Sequence, residues 1–338
     1  GGTVTIEGFG HNLPVLLDGG TLAGSSQVFD GAFTWRSGTL AGSGVTHITG
    51  ALNLEGPGTK TIGSGRQVFA YGQTTLSSGQ LLAIGTSESL STSFVNNGSF
   101  MDVDDGGRNL KGLSPDLSTF VNAGTYTKTG SGFTTFQSLT FDNQGTLDLH
   151  AGLMRMTGAL KNTGLIRAAA GAGLLVTSEA SFENQGTLTG AGDMDALGSI
   201  INRGLIAPGD PIGMLTLGDL TLAQEGTVRI DLGAADASDL LKLTGTVALG
   251  GELDLWNAGY APRLGDSFTV LQFAGRQGTS AFDTVQLHGF GQGVAFDVVY
   301  GVGDVKVVVA AVPEPGTWAL LLGGLAVVGG VARRSRAR

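Results

Sequence analysis

The chain has 338 residues, a formal net charge of −9 and no cysteine. This length is sufficient for a substantial buried core, the acidic balance disfavours nucleic acid as a partner, and the lack of cysteine excludes disulfides, thiolate metal sites and cysteine nucleophiles. Glycine supplies 59 of the 338 residues, about 17% against a usual share of about 7%, alongside abundant Val, Leu, Thr and Phe. This composition predicts short β-strands joined by tight turns.

The N-terminal segment, residues 1–90, has short strand patterns separated by glycine-rich turns, as in FTWRSGTLAGSG at 33–44. The FxWxxG pattern at 33–38 resembles the first coils of bacterial β-helical surface proteins. The chain begins at Gly1 instead of methionine, and no charged-then-apolar leader precedes the first strand pattern. We therefore expect a fragment, or a mature form that has lost a signal peptide.

A motif of the form apolar-x-Asn-x-Gly recurs through the middle of the chain, and a short alternating strand pattern follows each copy. The copies are FVNNG at 94–98, FVNAG at 120–124, FDNQG at 141–145, LKNTG at 160–164, FENQG at 182–186 and IINRG at 200–204. Their glycines lie 18 to 26 residues apart. Asn and Gly both tolerate a positive φ, and an Asn side chain can bond to neighbouring backbone groups, so we expect each copy to form a turn.

Repeat units of about 20 residues are too small to fold alone and are expected to stack on one another. Stacking in register aligns Asn with Asn, whose side chains can hydrogen-bond along the stack, and Phe with Phe. The predicted fold class is therefore all-β, a parallel β-helix (β-solenoid) with coils of roughly 20 residues over residues 1–255. A leucine-rich repeat has a similar period, but the chain shows no LxxLxLxxN pattern and no helix-forming polar run.

Towards the C-terminus the pattern changes. A Pro-Gly turn at 208–209 followed by GMLTL at 213–217 resembles the last coils of autotransporter-type β-helices. From 265 to 310 the stretches FTVLQF, VAFDVVYG and DVKVVVA read as strands separated by gaps of hairpin length. We assign residues 256–311 to an antiparallel β cap, because an open final coil leaves an exposed strand edge.

The last segment, residues 312–338, has three ordered parts. These are Pro313, Glu314 and Pro315, then the uncharged stretch TWALLLGGLAVVGGVA at 317–332, then an arginine cluster that includes Arg333, Arg334 and Arg336. As a helix, the uncharged stretch is about 24 Å long, slightly short of a ~30 Å hydrocarbon core. Arginines after an apolar segment mark the cytoplasmic side of a membrane. We predict one short C-terminal hydrophobic helix at 317–332 that crosses the membrane.

This order of parts resembles the PEP-CTERM sorting signal of Gram-negative bacteria. The resemblance covers residues 312–338 and leaves the function of the preceding body open. It implies a transient inner-membrane anchor, processing near Pro313 by an exosortase-type enzyme, and delivery to the cell surface or extracellular matrix. It also implies association with extracellular polysaccharide or biofilm, and glycosylation of exposed Ser and Thr. A plain C-terminal membrane anchor is the alternative.

One acidic segment has the composition of a metal site. Asp102, Asp104 and Asp105 in MDVDDGG place carboxylates before glycine, an arrangement that can chelate Ca²⁺. However, the distal bidentate Glu of an EF-hand loop is replaced by Leu113, and a solvated acidic turn explains the segment without a metal.

The histidines and glycine strings give no catalytic motif. His11, His47, His150 and His288 are far apart in sequence, and none belongs to a zinc-binding pattern. No GxG string follows a strand and opens a helix, so phosphate binding has no support. We expect no catalytic residue, no cofactor-binding residue and no cofactor.

These features together predict an exported structural or adhesive protein that is not an enzyme. A rigid rod with faces of Thr, Ser, Asn and Gly is suited to hydrogen bonding with glycans or neighbouring chains. The alternative is a polysaccharide-modifying β-helix enzyme, a lyase or glycosidase, which requires acidic or basic side chains to converge in one groove. A binder of ice or crystalline polysaccharide requires a flat face of regularly stacked Thr, and the irregular repeat spacing argues against it.

Overall fold

The computed structural model describes residues 2–5, 8–63, 65–78, 82–84, 90–177, 182–209, 212–233 and 237–311. Within these ranges the protein forms 39 β-strands and no helix.

The strands are numbered in chain order. The first third comprises β1 (Thr3–Thr5), β2 (Gly8–His11), β3 (Val15–Ala23), β4 (Ser26–Phe29), β5 (Phe33–Ala41), β6 (Gly44–Ile48), β7 (Leu52–Leu54), β8 (Lys60–Ile62), β9 (Arg66–Ala70), β10 (Gln73–Leu76), β11 (Leu82–Ile84), β12 (Thr92–Asn96) and β13 (Ser99–Asp102). The second comprises β14 (Arg108–Gly112), β15 (Ser118–Asn122), β16 (Thr125–Lys128), β17 (Phe133–Gln137), β18 (Thr140–Asn143), β19 (Thr146–Leu149), β20 (Leu153–Met156), β21 (Ala159–Asn162), β22 (Leu165–Ala168), β23 (Gly173–Val176), β24 (Phe182–Asn184), β25 (Thr187–Gly190) and β26 (Asp193–Ala196). The last comprises β27 (Ile200–Asn202), β28 (Leu205–Pro208), β29 (Met214–Leu217), β30 (Leu220–Leu222), β31 (Thr227–Leu232), β32 (Leu240–Leu243), β33 (Thr246–Ala248), β34 (Glu252–Asn257), β35 (Ser267–Gln272), β36 (Gly275–Arg276), β37 (Thr284–His288), β38 (Val294–Tyr300) and β39 (Asp304–Ala311).

The strands wind into a parallel β-solenoid with three faces. Among the described residues, a 13-stranded sheet forms face 1, and a 26-stranded sheet bends over two sides to form face 2 and face 3. A typical coil gives one strand to each face in turn. In one such coil, β15 lies on face 1, β16 on face 2 and β17 on face 3. The two sides of the larger sheet join at β5, which pairs with β7 through Phe33–Trp35 and with β8 through Gly38–Leu40.

This architecture confirms the prediction of an all-β parallel solenoid. The leucine-rich repeat alternative is wrong, because the coils described here have a strand on each face and contain no helix or 3₁₀ segment of the kind that fold requires.

Strand alternation sorts the side chains between the core and the surface. In β15, Ser118, Phe120 and Asn122 are buried, whereas the residues between them are half-exposed. The inward side chains of successive coils stack, and the rings of Phe94 and Phe141 each lie 5.2 Å from that of Phe120, centroid to centroid. This confirms the predicted aromatic ladder, in which each buried Phe contributes roughly 1.5–3 kcal/mol of hydrophobic stabilisation.

The repeated Asn residues form a continuous buried ladder along one corner of the solenoid, between face 1 and face 2. From Asn96 to Asn184, each Nδ2 donates to the Oδ1 of the Asn in the next coil, over 2.6–2.8 Å. The ladder consists of Asn96, Asn122, Asn143, Asn162, Asn184 and Asn202. It confirms the predicted Asn stacking and satisfies buried amides that are costly to leave unpaired.

The glycine two residues after each ladder Asn is required for a different reason from the one expected. None of the repeat glycines has a positive φ. Instead, a Cβ at Gly145 would lie 2.1 Å from the carbonyl oxygen of Gly124, and a Cβ at Gly164 would lie 2.1 Å from that of Gly145. The positive-φ interpretation of the repeat is therefore wrong, and the turns need glycine because successive coils stack too closely for a side chain.

Parallel winding continues beyond residue 255. β35, β36 and β37 still pair in parallel with the coil before them, because inward apolar columns run on, with buried Leu241 opposite buried Leu271. Antiparallel pairing involves β38 with β39 and β39 with β35. Antiparallel pairing therefore involves fewer strands than the cap expected over 256–311. The buried Val305 and Val307 of β39 cover the end of face 3.

Candidate functional site

The acidic segment 102–105 does not assemble a calcium site. Asp104 pairs with Arg108 at 2.6 Å. Asp105 is exposed and accepts hydrogen bonds from the backbone and side chain of Ser131, which lower its pKa. The third aspartate, at position 102, points into the core. Across the described ranges, no three His, Asp or Glu side chains are grouped where they could hold a metal ion.

Face 2 carries a histidine–carboxylate pair that sequence analysis missed. His150 Nε2 lies 3.0 Å from Asp148 Oδ2, and Arg167 of the next coil donates to both oxygens of the same carboxylate. Burial raises the pKa of Asp148, but the bonds from Arg167 and His150 outweigh burial, so the pKa is below its ordinary value. The spacing i, i+2 within a strand was the available signal, because such residues share a face. The contacts indicate a structural ion-pair cluster.

A second cluster surrounds Trp256 near the C-terminal end of face 2. The indole stacks on the guanidinium of Arg229 in the preceding coil, with Cζ 4.3 Å from the ring centroid, and on His288 in the following coil, with centroids 4.5 Å apart. Asp254 accepts a hydrogen bond from the indole at 2.6 Å and lies 2.9 Å from His288 Nε2. Because both neighbouring coils cover the indole, this cluster presents ring edges instead of an open aromatic face.

Asp239 is a buried carboxyl group with a structural role. It accepts the backbone N–H groups of Gly213 and Asp231 at 2.8 and 2.9 Å. Burial raises its pKa to about 7. Both oxygens hold backbone turns, so the carboxyl group is not free to act on a ligand.

Face 3 carries a groove of about 560 Å³ that crosses four coils, at β17, β20, β23 and β26. Its lining includes Phe133, Leu153, Arg155, Gly173, Asp193 and Asp195. Leu153, Gly173 and Asp193 are in register on adjacent strands and face outward. Because Gly173 has no side chain, the surface is lower between its two neighbours, and this deepens the groove.

The groove combines three kinds of contact group. Phe133 leaves 44% of its surface exposed, and Arg155 Cζ lies 5.7 Å from its ring centroid. The Nε of Arg155 is buried and has no hydrogen-bond partner within the described part of the chain. Asp193 and Asp195 add carboxylate acceptors on β26. An aromatic surface, a guanidinium group and two carboxylate acceptors are what a hydroxyl-rich ligand needs.

The residues predicted to form the sorting signal, Pro313, Glu314, Pro315, Arg333, Arg334 and Arg336, lie outside the described residues. The helix predicted at 317–332 lies outside them too. The last described strand, β39, ends at Ala311. None of the structure described up to that point contains a helix long and apolar enough to cross a membrane.

Comparison with known protein families identifies this C-terminal segment. Residues 311–337 match the PEP-CTERM protein-sorting motif. The PEP-CTERM match begins at the last residue of β39 and includes all six residues predicted for the signal, so the predicted resemblance is confirmed. The PEP-CTERM signal marks an exported protein that is sorted through a membrane anchor and processed by an exosortase. No curated protein matches the chain.

Proposed function

We propose that this protein is a structural and adhesive component of the Gram-negative cell surface or extracellular matrix, where it binds extracellular polysaccharide and catalyses no reaction. The observation that carries the proposal is the junction at Ala311, where the sorting motif begins as the last strand ends. The cargo delivered by this signal is therefore the solenoid itself.

The body suits a passive role because its internal columns make it rigid. The 13 described strands of face 1, one per coil and ~4.8 Å apart, give a rod of roughly 60 Å. From Asn96 to Asn202 the Asn ladder ties each coil to the next, and stacked Phe rings add contacts within this stretch. A rigid rod presents its outer contact groups in a preformed arrangement, which lowers the entropic cost of binding an extended polymer.

The groove on face 3 is the surface that we assign to polysaccharide contact. The exposed ring of Phe133 offers an apolar surface to the C–H face of a sugar ring. The Arg155 guanidinium donates to sugar oxygens, and Asp193 and Asp195 accept from hydroxyl groups. The groove spans several coils, so more than one sugar unit can lie along it.

The test compares two arginine variants expressed as full-length protein in the native host. Wild-type protein is expected to sediment with the extracellular polysaccharide, and Arg155→Ala is expected to weaken this retention about tenfold, equivalent to ~1.4 kcal/mol. Arg203→Ala is the matched control, because Arg203 is exposed on another part of the rod and pairs with Glu183 and Glu225. Equal retention of all three proteins would contradict the assignment of the groove. A wild-type protein that stays free of polysaccharide would contradict the proposed function.

A polysaccharide-modifying enzyme is the second candidate, because Arg155, Asp193 and Asp195 line one groove, as such an enzyme requires. If it is correct, the purified protein shortens the polysaccharide that it binds, and the double substitution Asp193→Asn, Asp195→Asn stops the shortening. Unchanged polymer length after prolonged incubation with wild-type protein would contradict this candidate and leave the non-catalytic proposal in place.

A further inference from the structure

One inward column of face 2 contains an acid and a base where its neighbours are apolar. In register, the column runs through Leu54, Leu76, Asp102, Lys128, Leu149 and Ala168. Asp102 and Lys128 are therefore direct partners on adjacent parallel strands, β13 and β16. Both side chains are fully buried.

The two groups lie within reach of one another but do not form a well-bonded ion pair. Lys128 Nζ is 3.6 Å from Asp102 Oδ2 and has no hydrogen-bond partner in the part of the chain that the structure describes. A buried ammonium group without hydrogen bonds is costly, because the attraction of one carboxylate seldom compensates for the lost hydration of both ions.

Two hydroxyl groups bind the carboxyl oxygen that faces the amine. Tyr126 Oη donates to Asp102 Oδ2 at 3.0 Å, and Thr134 Oγ1 donates to the same atom at 2.5 Å. Burial and the neighbouring Asp102 raise the pKa of Tyr126 well above its ordinary value, so the phenol keeps its proton. The buried Phe100 ring stacks on Tyr126, the buried Phe136 ring packs edge-on against it, and both border the Asp102–Lys128 pair with apolar surface.

We propose that Lys128 and Asp102 condense into an intramolecular isopeptide bond that joins two adjacent coils. The neutral Nζ attacks Cγ of the protonated carboxyl group, so the Nζ–Cγ bond forms and the Cγ–Oδ2 bond breaks. Oδ2 leaves as water with the carboxyl proton and one proton from Nζ. The Tyr126 and Thr134 hydroxyls stabilise Oδ2 and relay the proton to it. No oxidant or cofactor takes part.

The product leaves an uncharged amide in place of a buried acid and a buried base. The new bond links β13 to β16 covalently and restricts the unfolded chain, as a disulfide does in other exported proteins. This chain has no cysteine for that purpose. The proposal does not depend on polysaccharide binding, so the failure of one leaves the other intact.

Mass spectrometry of the wild-type protein tests the bond directly. The intact mass is expected to be lower than the mass calculated for the linear chain by the mass of one water molecule. Tryptic digestion is expected to leave the bond after Lys128 uncut and to yield a branched peptide that joins the segments containing Asp102 and Lys128. An intact mass equal to that calculated for the linear chain, together with cleavage after Lys128, would overturn the proposal without any variant.

A pair of lysine variants locates the bond. Lys128→Arg is expected to restore the mass of one water molecule. Lys60→Arg is the matched control, because Lys60 is equally buried but its Nζ donates to the carbonyl oxygens of Gly56 and Gly58 at 3.3 Å. This control is expected to keep the deficit. A deficit that persists in Lys128→Arg would contradict the assignment to Lys128.

Discussion

Replacing Asn143 with alanine is expected to lower the free energy of unfolding by about 3–5 kcal/mol. Asn143 accepts a hydrogen bond from Asn122 at 2.8 Å and donates one to Asn162 at 2.7 Å, and all three side chains are buried. Alanine leaves a donor of Asn122 and the acceptor of Asn162 unpaired in the core, and each unpaired group costs about 1–3 kcal/mol. Denaturant unfolding followed by circular dichroism measures the loss.

The control for the ladder is Asn97→Ala, which removes an asparagine from the same repeat motif. Asn97 follows the ladder residue Asn96 but is exposed at the turn. Its replacement is expected to change the free energy of unfolding by no more than about 0.5 kcal/mol. A loss below about 1 kcal/mol for Asn143→Ala would show that the ladder contributes little to stability.

Replacing Gly164 with alanine is expected to destabilise the solenoid by at least about 3 kcal/mol. The new Cβ would lie 2.1 Å from the carbonyl oxygen of Gly145. That atom belongs to the backbone of the preceding turn, whose own Cα stacks under the turn before it, so relief requires neighbouring coils to move apart. Thermal unfolding and protease resistance of the full chain report the loss.

Gly291→Ala is the matched control for this substitution. A Cβ at Gly291 would meet nothing within 4 Å, and Gly291 does not have a positive φ. Alanine there is expected to leave the free energy of unfolding unchanged or to raise it by up to about 1 kcal/mol, because alanine lowers the conformational entropy of the unfolded chain. If Gly164→Ala and Gly291→Ala unfold at the same temperature, the close stacking of the turns is not what requires glycine.

The sequence was sufficient to predict the solenoid and its ladders. In-register stacking brings each repeated residue onto its own copy, so a recurring Asn or Phe predicts the contact without any knowledge of the exact coil length. The role of Gly164 could not be predicted in the same way. In the sequence of one coil, a glycine needed for a positive φ cannot be told from a glycine needed for close stacking. The distance between coils distinguishes the two roles.

Contacts between unlike residues require the copies of the repeat to be aligned. Asp102 and Lys128 each lie four residues after the glycine of their motif copy, Gly98 and Gly124, so this alignment was the available signal for their pairing. The extent of the antiparallel structure was not predictable in this way. The strand patterns after residue 255 were recognised, but parallel and antiparallel pairing use the same alternation of apolar and polar residues.

The groove on face 3 was the least predictable feature. Phe133, Arg155 and Asp193 come from three different coils, and each is unremarkable in its own strand. The absence of a side chain at Gly173 creates the depth of the groove, and this depth can be recognised only when the positions of the neighbouring coils are known. The sorting motif was the opposite case, because its parts are contiguous in sequence and need no fold to be recognised.

We propose that the sorting signal delivers this solenoid to the cell surface or matrix and is removed on the way. Intact mass and C-terminal peptide mapping of the protein from its native host, in envelope and medium fractions, test it most directly. We predict a C-terminus near residues 312–316 in protein recovered from the surface or the medium. An unprocessed chain that ends at Arg338 and occurs only in the membrane fraction would contradict the account.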